Sequence, residues 1–225
     1  MKIIQFGIPR SGTVIIWQIL KDIFKNDQII KTHIYDKGIT KNQKIVATIR
    51  DFRDILISRF VIKQTGFLNI NDMHPININE RKNKSFNDFI SLENISEQDI
   101  INICNEILKD EKYMDEYLKL GDNILWLRYE SYFNNFDYIF DKLEIFFDIK
   151  INSNLRNVIK VNRNIEKNKN ISLKMKNFNE YDPNSFLYGN HINFPTPDWK
   201  NKLPIKYHSL ANELLKSILL KWEYK

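Results

Sequence analysis

Cysteine is almost missing from this sequence: Cys104 is the only one in 225 residues. That excludes an internal disulfide framework and fits a reducing compartment, with a small buried apolar residue as the expected role for the thiol. Long apolar runs are missing too. The opening Met1-Lys-Ile-Ile-Gln-Phe-Gly7 is too short for a signal peptide, and no later stretch reaches the roughly 18 apolar residues of a membrane span. A cytoplasmic protein without a membrane span is expected. There is no internal repeat. His74 and His208 have no His, Cys, Asp or Glu companions at ligand spacing, so no metal site is expected.

What the chain does have is 43% hydrophobic and 13% aromatic residues, enough for one substantial core and little for two, so a single domain over 1–225 is expected. The net charge of +6 suits an anionic partner. Its basic residues are dispersed among abundant Asn and Ile, however, with no aromatic-interleaved basic motif, and a nucleic-acid partner is not expected.

Hydrophobic patterning gives an α/β order. Lys2–Phe6 is a short apolar run closed by Gly7, and Thr13–Phe24 follows with helical spacing, which predicts strand, tight turn and helix. Gln28–Thr32 and Lys44–Ile49 carry the β-branched residues of buried parallel strands, the second leading into a helix from Asp51. Ser96-Glu-Gln-Asp99 predicts a helix start, Asn123–Arg128 a fourth strand, and Phe136–Phe147 a helix packed on the sheet. Residues 66–85 predict a long loop, 162–190 a Lys/Asn-rich segment of little periodicity that is mobile unless a ligand orders it, and Pro204–Trp222 a closing helix.

The strongest local signal lies between the first strand and the first helix. In Gly7-Ile-Pro-Arg-Ser-Gly-Thr13, backbone N–H groups and a helix N-terminus converge on one spot, a ready site for phosphate. The spacing matches the G-x-x-x-x-G of a nucleoside-triphosphate loop, but Thr13 and Val14 stand where Lys and Ser/Thr belong. A kinase or ATPase needs that Lys for its phosphates and that hydroxyl for Mg²⁺. The loop therefore predicts a phosphorylated donor handled without metal, with Arg10 beside the group in transit.

Five segments, in order, resemble the sulfotransferase family that uses 3'-phosphoadenylyl sulfate. Pro9-Arg-Ser-Gly-Thr13 resembles its 5'-phosphosulfate loop, and Lys31-Thr-His33 resembles the segment whose His is the catalytic base. Arg50-Asp-Phe-Arg-Asp54-Ile-Leu-Ile-Ser58 is similar to the element whose Arg and Ser hold the 3'-phosphate. Leu127-Arg-Tyr-Glu130 resembles a strand end with Tyr near adenine, and Asp198-Trp-Lys-Asn201 resembles the end of the donor-binding loop. The resemblance implies a three-layer α/β/α sandwich around a mostly parallel sheet, P-loop-like at its first turn. It also implies sulfuryl transfer from 3'-phosphoadenylyl sulfate, with adenosine 3',5'-bisphosphate as product, to a hydroxyl or amine of a small-molecule or glycan acceptor, lipids included.

The resemblance assigns catalysis to His33, Lys31 and Arg10, and donor binding to Arg10, Ser11, Gly12, Thr13, Val14, Arg50, Ser58 and Tyr129. Imidazole titrates near neutrality and suits a base, while Arg10 and Lys31 would neutralise the leaving oxygens. Asp54 either orients Arg50 or simply sits in a first helical turn where negative charge is favourable. Three departures stand out: Val14 and Ile15 replace Thr and an aromatic residue, Phe52 replaces Pro, and His191–Pro197 replaces the basic, glycine-containing stretch before Asp198. Lys174, Lys176 and His191 are candidates to replace that lost grip, and acceptor contacts are expected from 67–98 and 162–197. A P-loop kinase and an inactive nucleotide-binding module are the competing readings.

Overall fold

The β-branched runs form a sheet whose strands all run the same way. In a computed structural model describing residues 2–25, 27–39, 43–64, 92–133, 135–175, 180–189, 192 and 195–225, β1 (Lys2–Phe6), β2 (Gln28–Thr32), β3 (Lys44–Ile49) and β4 (Ile124–Arg128) lie in the order β2-β1-β3-β4. Every pair is parallel, with Phe6 opposite Thr32 and Ala47, and Ile49 opposite Arg128. All four C-terminal ends therefore lie along one edge. Chain order reverses between β1 and β3, the crevice where open parallel sheets hold ligands.

The chain divides into two compact units, each made of two segments: Met1–Arg50 with Lys112–Asn168, and Asp51–Glu111 with Lys169–Lys225. The first contains the sheet. One face carries Ile3, Val46 and Leu127, which pack with Ile16, Ile19 and Leu20 of α1 (Thr13–Ile23), Phe140 and Leu143 of α5 (Phe136–Phe147) and Ile159 of α6 (Ser153–Arg163). Alternation along β1 turns Phe6 to the opposite face. There it stacks on Tyr117 at 3.9 Å between ring centroids and meets Trp126 edge-on at 6.2 Å. Tyr117 comes from the last turns of α3 (Glu97–Leu118), so this unit has helix on both faces of its sheet. The α/β fold with a parallel central sheet is as expected.

The second unit holds α2 (Phe52–Gln64) and the first part of α3. The Ser96 start is a reciprocal cap: Asp99 N–H donates to Ser96 Oγ at 3.1 Å, and Ser96 N–H donates to Asp99 Oδ2 at 3.0 Å. Inside this unit Arg59 and Asp110 form a hydrogen-bonded ion pair of 2.6 Å whose side chains are 1% and 2% exposed. Burial lowers the Arg59 pKa, against which Asp110 pulls the other way. Cys104 is fully buried, and burial pushes its thiol up to about 12, which makes it an inert core residue as expected.

Two stretches differ from the sequence expectation. Residues 162–190 contain the end of α6, the helix α7 (Ile165–Leu173) and a hairpin of β5 (Tyr181–Asp182) and β6 (Leu187–Tyr188). Asparagine supplies the missing signal. Asn152 and Asn164 cap the two helices, accepting from Leu155 N–H at 2.8 Å and Lys167 N–H at 2.7 Å. Buried Asn168 donates to Gln18 of α1 at 2.9 Å, and Arg163 grips Asp22 through two bonds of 2.6 and 2.9 Å. The closing helix is also divided: a 3₁₀ turn at Ile205–Tyr207, α9 (His208–Leu214) and α10 (Lys216–Lys221), separated at Leu215.

Candidate functional site

The turn after β1 is shaped by two left-handed residues. Arg10 has φ 77° and Gly12 has φ 91°, so the backbone passes twice through the left-handed region just before α1 begins. Gly12 must be glycine for a second reason. A Cβ there would meet the Tyr132 hydroxyl and come within 2.6 Å of Tyr129 Cδ2. Gly7 is equally enclosed: a Cβ would collide with Thr48 Oγ1 and lie 2.6 Å from Ser11 Oγ.

Ser11 is fully buried and turned inward. Its N–H and hydroxyl both donate to Ile8 C=O, at 3.2 and 2.8 Å, and its oxygen lies 3.0 Å from Thr48 Oγ1. Among the expected phosphate donors, Ser11 thus spends both of its groups on holding the loop's shape. The open positions are Gly12, Thr13 and Val14, where the first N–H groups of α1 have no partner within the helix.

His33, just past the end of β2, is tied to that loop. Its Nδ1 lies 2.6 Å from Gly7 C=O, and Nε2 lies 3.0 Å from Lys31 Nζ. A carbonyl can only accept, so Nδ1 carries the proton; in the neutral ring Nε2 then holds the lone pair and Lys31 donates to it. The Lys31 pKa falls to about 8, first through burial and then through the neighbouring Arg10 charge. Arg10, Lys31 and His33 are thereby brought together beside the loop.

At the next strand end, Arg50 is buried at 4% exposure and its guanidinium lies 4.5 Å over the ring of Tyr129, which follows β4 directly. Tyr129 is itself buried, with Tyr132 of the same short helix α4 (Tyr129–Tyr132) set edge-on at 5.3 Å. The ring that supports Arg50 is the one against which Gly12 packs.

The second unit contains Ser58, buried on α2, and two residues whose roles the sequence reading missed. Asp51 caps α2 by accepting from Arg53 N–H at 2.9 Å, and receives the Arg53 guanidinium at 2.9 and 2.7 Å. That guanidinium stacks 4.1 Å from Trp199 and donates to Asn212 at 2.9 Å. Asp54 accepts from Asp198 N–H at 3.1 Å. Asp198-Trp-Lys-Asn201, which opens α8 (Trp199–Lys202), is thus seated on the first turn of α2 by Arg53 and Asp54. Only the pairing of Asp54 with a residue 144 positions away could have given this, and sequence spacing does not carry it. Phe52, in place of Pro, is fully buried and meets Tyr224 edge-on at 5.9 Å. Lys174 is exposed; His74, Lys176 and His191 lie outside the described residues, as does the whole of the 66–85 stretch.

Among the described residues no group of three His, Cys, Asp or Glu is placed to hold a metal ion, and no helix is long and apolar enough to cross a membrane. The family model for the sulfotransferase domain matches residues 24–214. Two solved structures share the fold. Mouse sulfotransferase SULT7A1 complexed with PAP (the bisphosphate product) is 15% identical, with TM-score 0.62 over 97% of this chain and 84% of that one. A retinol dehydratase in complex with androsterone and inactive cofactor PAP is 13% identical, with TM-score 0.66 over 97% of this chain and 80% of that one. No curated protein matches the sequence. The family match starts at residue 24, after the turn at 7–13.

Proposed function

The chain belongs to the sulfotransferase domain family and is a sulfotransferase, and from that premise we propose that its donor is 3'-phosphoadenylyl sulfate and that the strand-end residues carry the transfer. The whole chain, 1–225, acts as one such domain in the cytoplasm. Its acceptor is a small molecule, glycan or lipid bearing a hydroxyl or amine. The observation that carries the reading is the convergence of Arg10, Lys31 and His33 on the amide-lined turn before α1. That turn suits the phosphosulfate: left-handed Arg10 and Gly12 shape it at the start of α1, and the Arg10 charge is felt by Lys31.

The donor supplies a sulfuryl group on a phosphate leaving group. Gly12 and Thr13 N–H groups bind the 5'-phosphate at the α1 terminus, and Val14 adds a backbone contact without a hydroxyl. Arg50, held on Tyr129, grips the 3'-phosphate through paired N–H donors. His33 takes the acceptor proton at Nε2, the nitrogen left with a lone pair by the Gly7 carbonyl. The acceptor oxygen or nitrogen bonds to sulfur as the bond from sulfur to the 5'-phosphate oxygen breaks. Arg10 and Lys31 face the charge that develops on that oxygen.

Calorimetry with adenosine 3',5'-bisphosphate, against ATP with Mg²⁺, tests the reading. Wild type should bind the bisphosphate in the micromolar range without metal. Arg50→Ala should weaken it about a hundredfold, the equivalent of about 3 kcal/mol for lost charge-assisted hydrogen bonds. His33→Ala should bind normally and transfer nothing. Tighter binding of Mg-ATP, or an Arg50→Ala affinity equal to wild type, would refute the donor assignment.

A further inference from the structure

The bonds around His33 satisfy the base and also block it. Nδ1 gives its proton to Gly7 C=O at 2.6 Å, so the tautomer is set by the phosphate loop itself. The remaining lone pair, on Nε2, accepts from Lys31 Nζ at 3.0 Å. A lone pair engaged with an ammonium cannot accept a proton from an acceptor group. The two roles read for this pair exclude each other while their mutual bond persists, because Lys31 must face the leaving oxygen and His33 must face the acceptor.

We propose that Lys31 and His33 form a latch that the donor opens: the ammonium covers Nε2 until an anion at the phosphate loop draws it away, and only then is the base exposed. This rests on the donor assignment above. The driving force is visible in the neighbourhood of Lys31. Arg10, a second cation, lies close enough to lower the Lys31 pKa, so two like charges are held in proximity beside the turn. An anionic group between them converts that repulsion into attraction for both, and the neutral imidazole is a poor competitor for the ammonium against a phosphate oxygen. His33 cannot follow Lys31, because Gly7 C=O holds its other nitrogen and Gly7 is enclosed by Thr48 and Ser11. The lysine moves, and the base stays.

The consequence is an order of events. An acceptor arriving first meets an occupied lone pair, whereas one arriving at donor-loaded enzyme meets a free base already in its reactive tautomer.

Nitrogen-15 NMR of histidine-labelled protein reads this directly. The chain has four histidines, and the His33 signals are identified by their loss in His33→Asn. Without ligand, His33 should be neutral with its proton on Nδ1 and its Nε2 resonance displaced by a hydrogen bond. Saturation with adenosine 3',5'-bisphosphate should move Nε2 to the position of an unbonded ring nitrogen. Lys31→Met should show that position already, and ligand should not move it further. A proton on Nε2, or an Nε2 signal unchanged while calorimetry registers bisphosphate binding, would overturn the latch and leave the donor assignment standing. Absence of bisphosphate binding would remove both.

Discussion

Replacing Gly12 by alanine should be far more damaging than the same change at Gly121, although both residues have positive φ, 91° and 62°. At Gly121 a Cβ would meet nothing within 4 Å, so the cost is the left-handed backbone alone, about 1–2 kcal/mol. At Gly12 the new methyl would run into the Tyr132 hydroxyl and the Tyr129 ring, both on buried side chains with no room to retreat. Overpacking of that kind adds about 1–3 kcal/mol. The totals are about 2–5 kcal/mol for Gly12→Ala against about 1–2 kcal/mol for Gly121→Ala. At about 2–4 °C per kcal/mol for a chain of this size, the Gly12 variant should melt about 4–20 °C below wild type and the Gly121 variant about 2–8 °C below. Thermal unfolding of the two proteins, followed by calorimetry with adenosine 3',5'-bisphosphate, separates stability from function. Gly12→Ala should also bind the ligand more weakly, because the displaced ring carries Arg50 and the displaced loop carries the amides. Equal melting losses would refute the packing argument, and unchanged affinity in Gly12→Ala would refute the link between loop and ring.

Breaking the buried Arg59–Asp110 pair by Arg59→Met should cost about 3–5 kcal/mol, since Asp110 is left charged and buried, whereas Arg59→Met with Asp110→Leu should recover most of it; denaturant titration of the three proteins decides. Lys31, at about 8 when folded against 10.5 for an ordinary lysine, binds fewer protons folded than unfolded between those values. Its burden on stability is therefore full below about pH 8 and lifts as pH rises toward 10.5. Melting curves should show Lys31→Met gaining more over wild type near pH 7 than near pH 10, and a pH-independent difference would contradict the shift. Transfer that needs the Lys31 ammonium should decline above about pH 8.

The strands and the edge they share were legible because buried parallel strands are short, β-branched and closed by glycine or a charged residue, as Lys2–Phe6 and Lys44–Ile49 are. The Ser96 cap was legible because its partner is three residues away. The 162–190 segment was not, because its order comes from contacts with α1, Arg163 to Asp22 and Asn168 to Gln18, which lie 141 and 150 residues apart in sequence. The site divides along the same line. The family resemblance singled out Arg10, Lys31, His33 and Arg50 as candidates, but the inward turn of Ser11 and the grip of Asp54 on the Asp198 backbone appear only once the chain has folded.

Tyr129 touches Arg50 with its face and Gly12 with its edge. One phenol ring is therefore the gauge between the guanidinium that follows β3 and the turn that precedes α1. A gauge made of a side chain is replaceable by a single codon change, whereas one made of backbone is not.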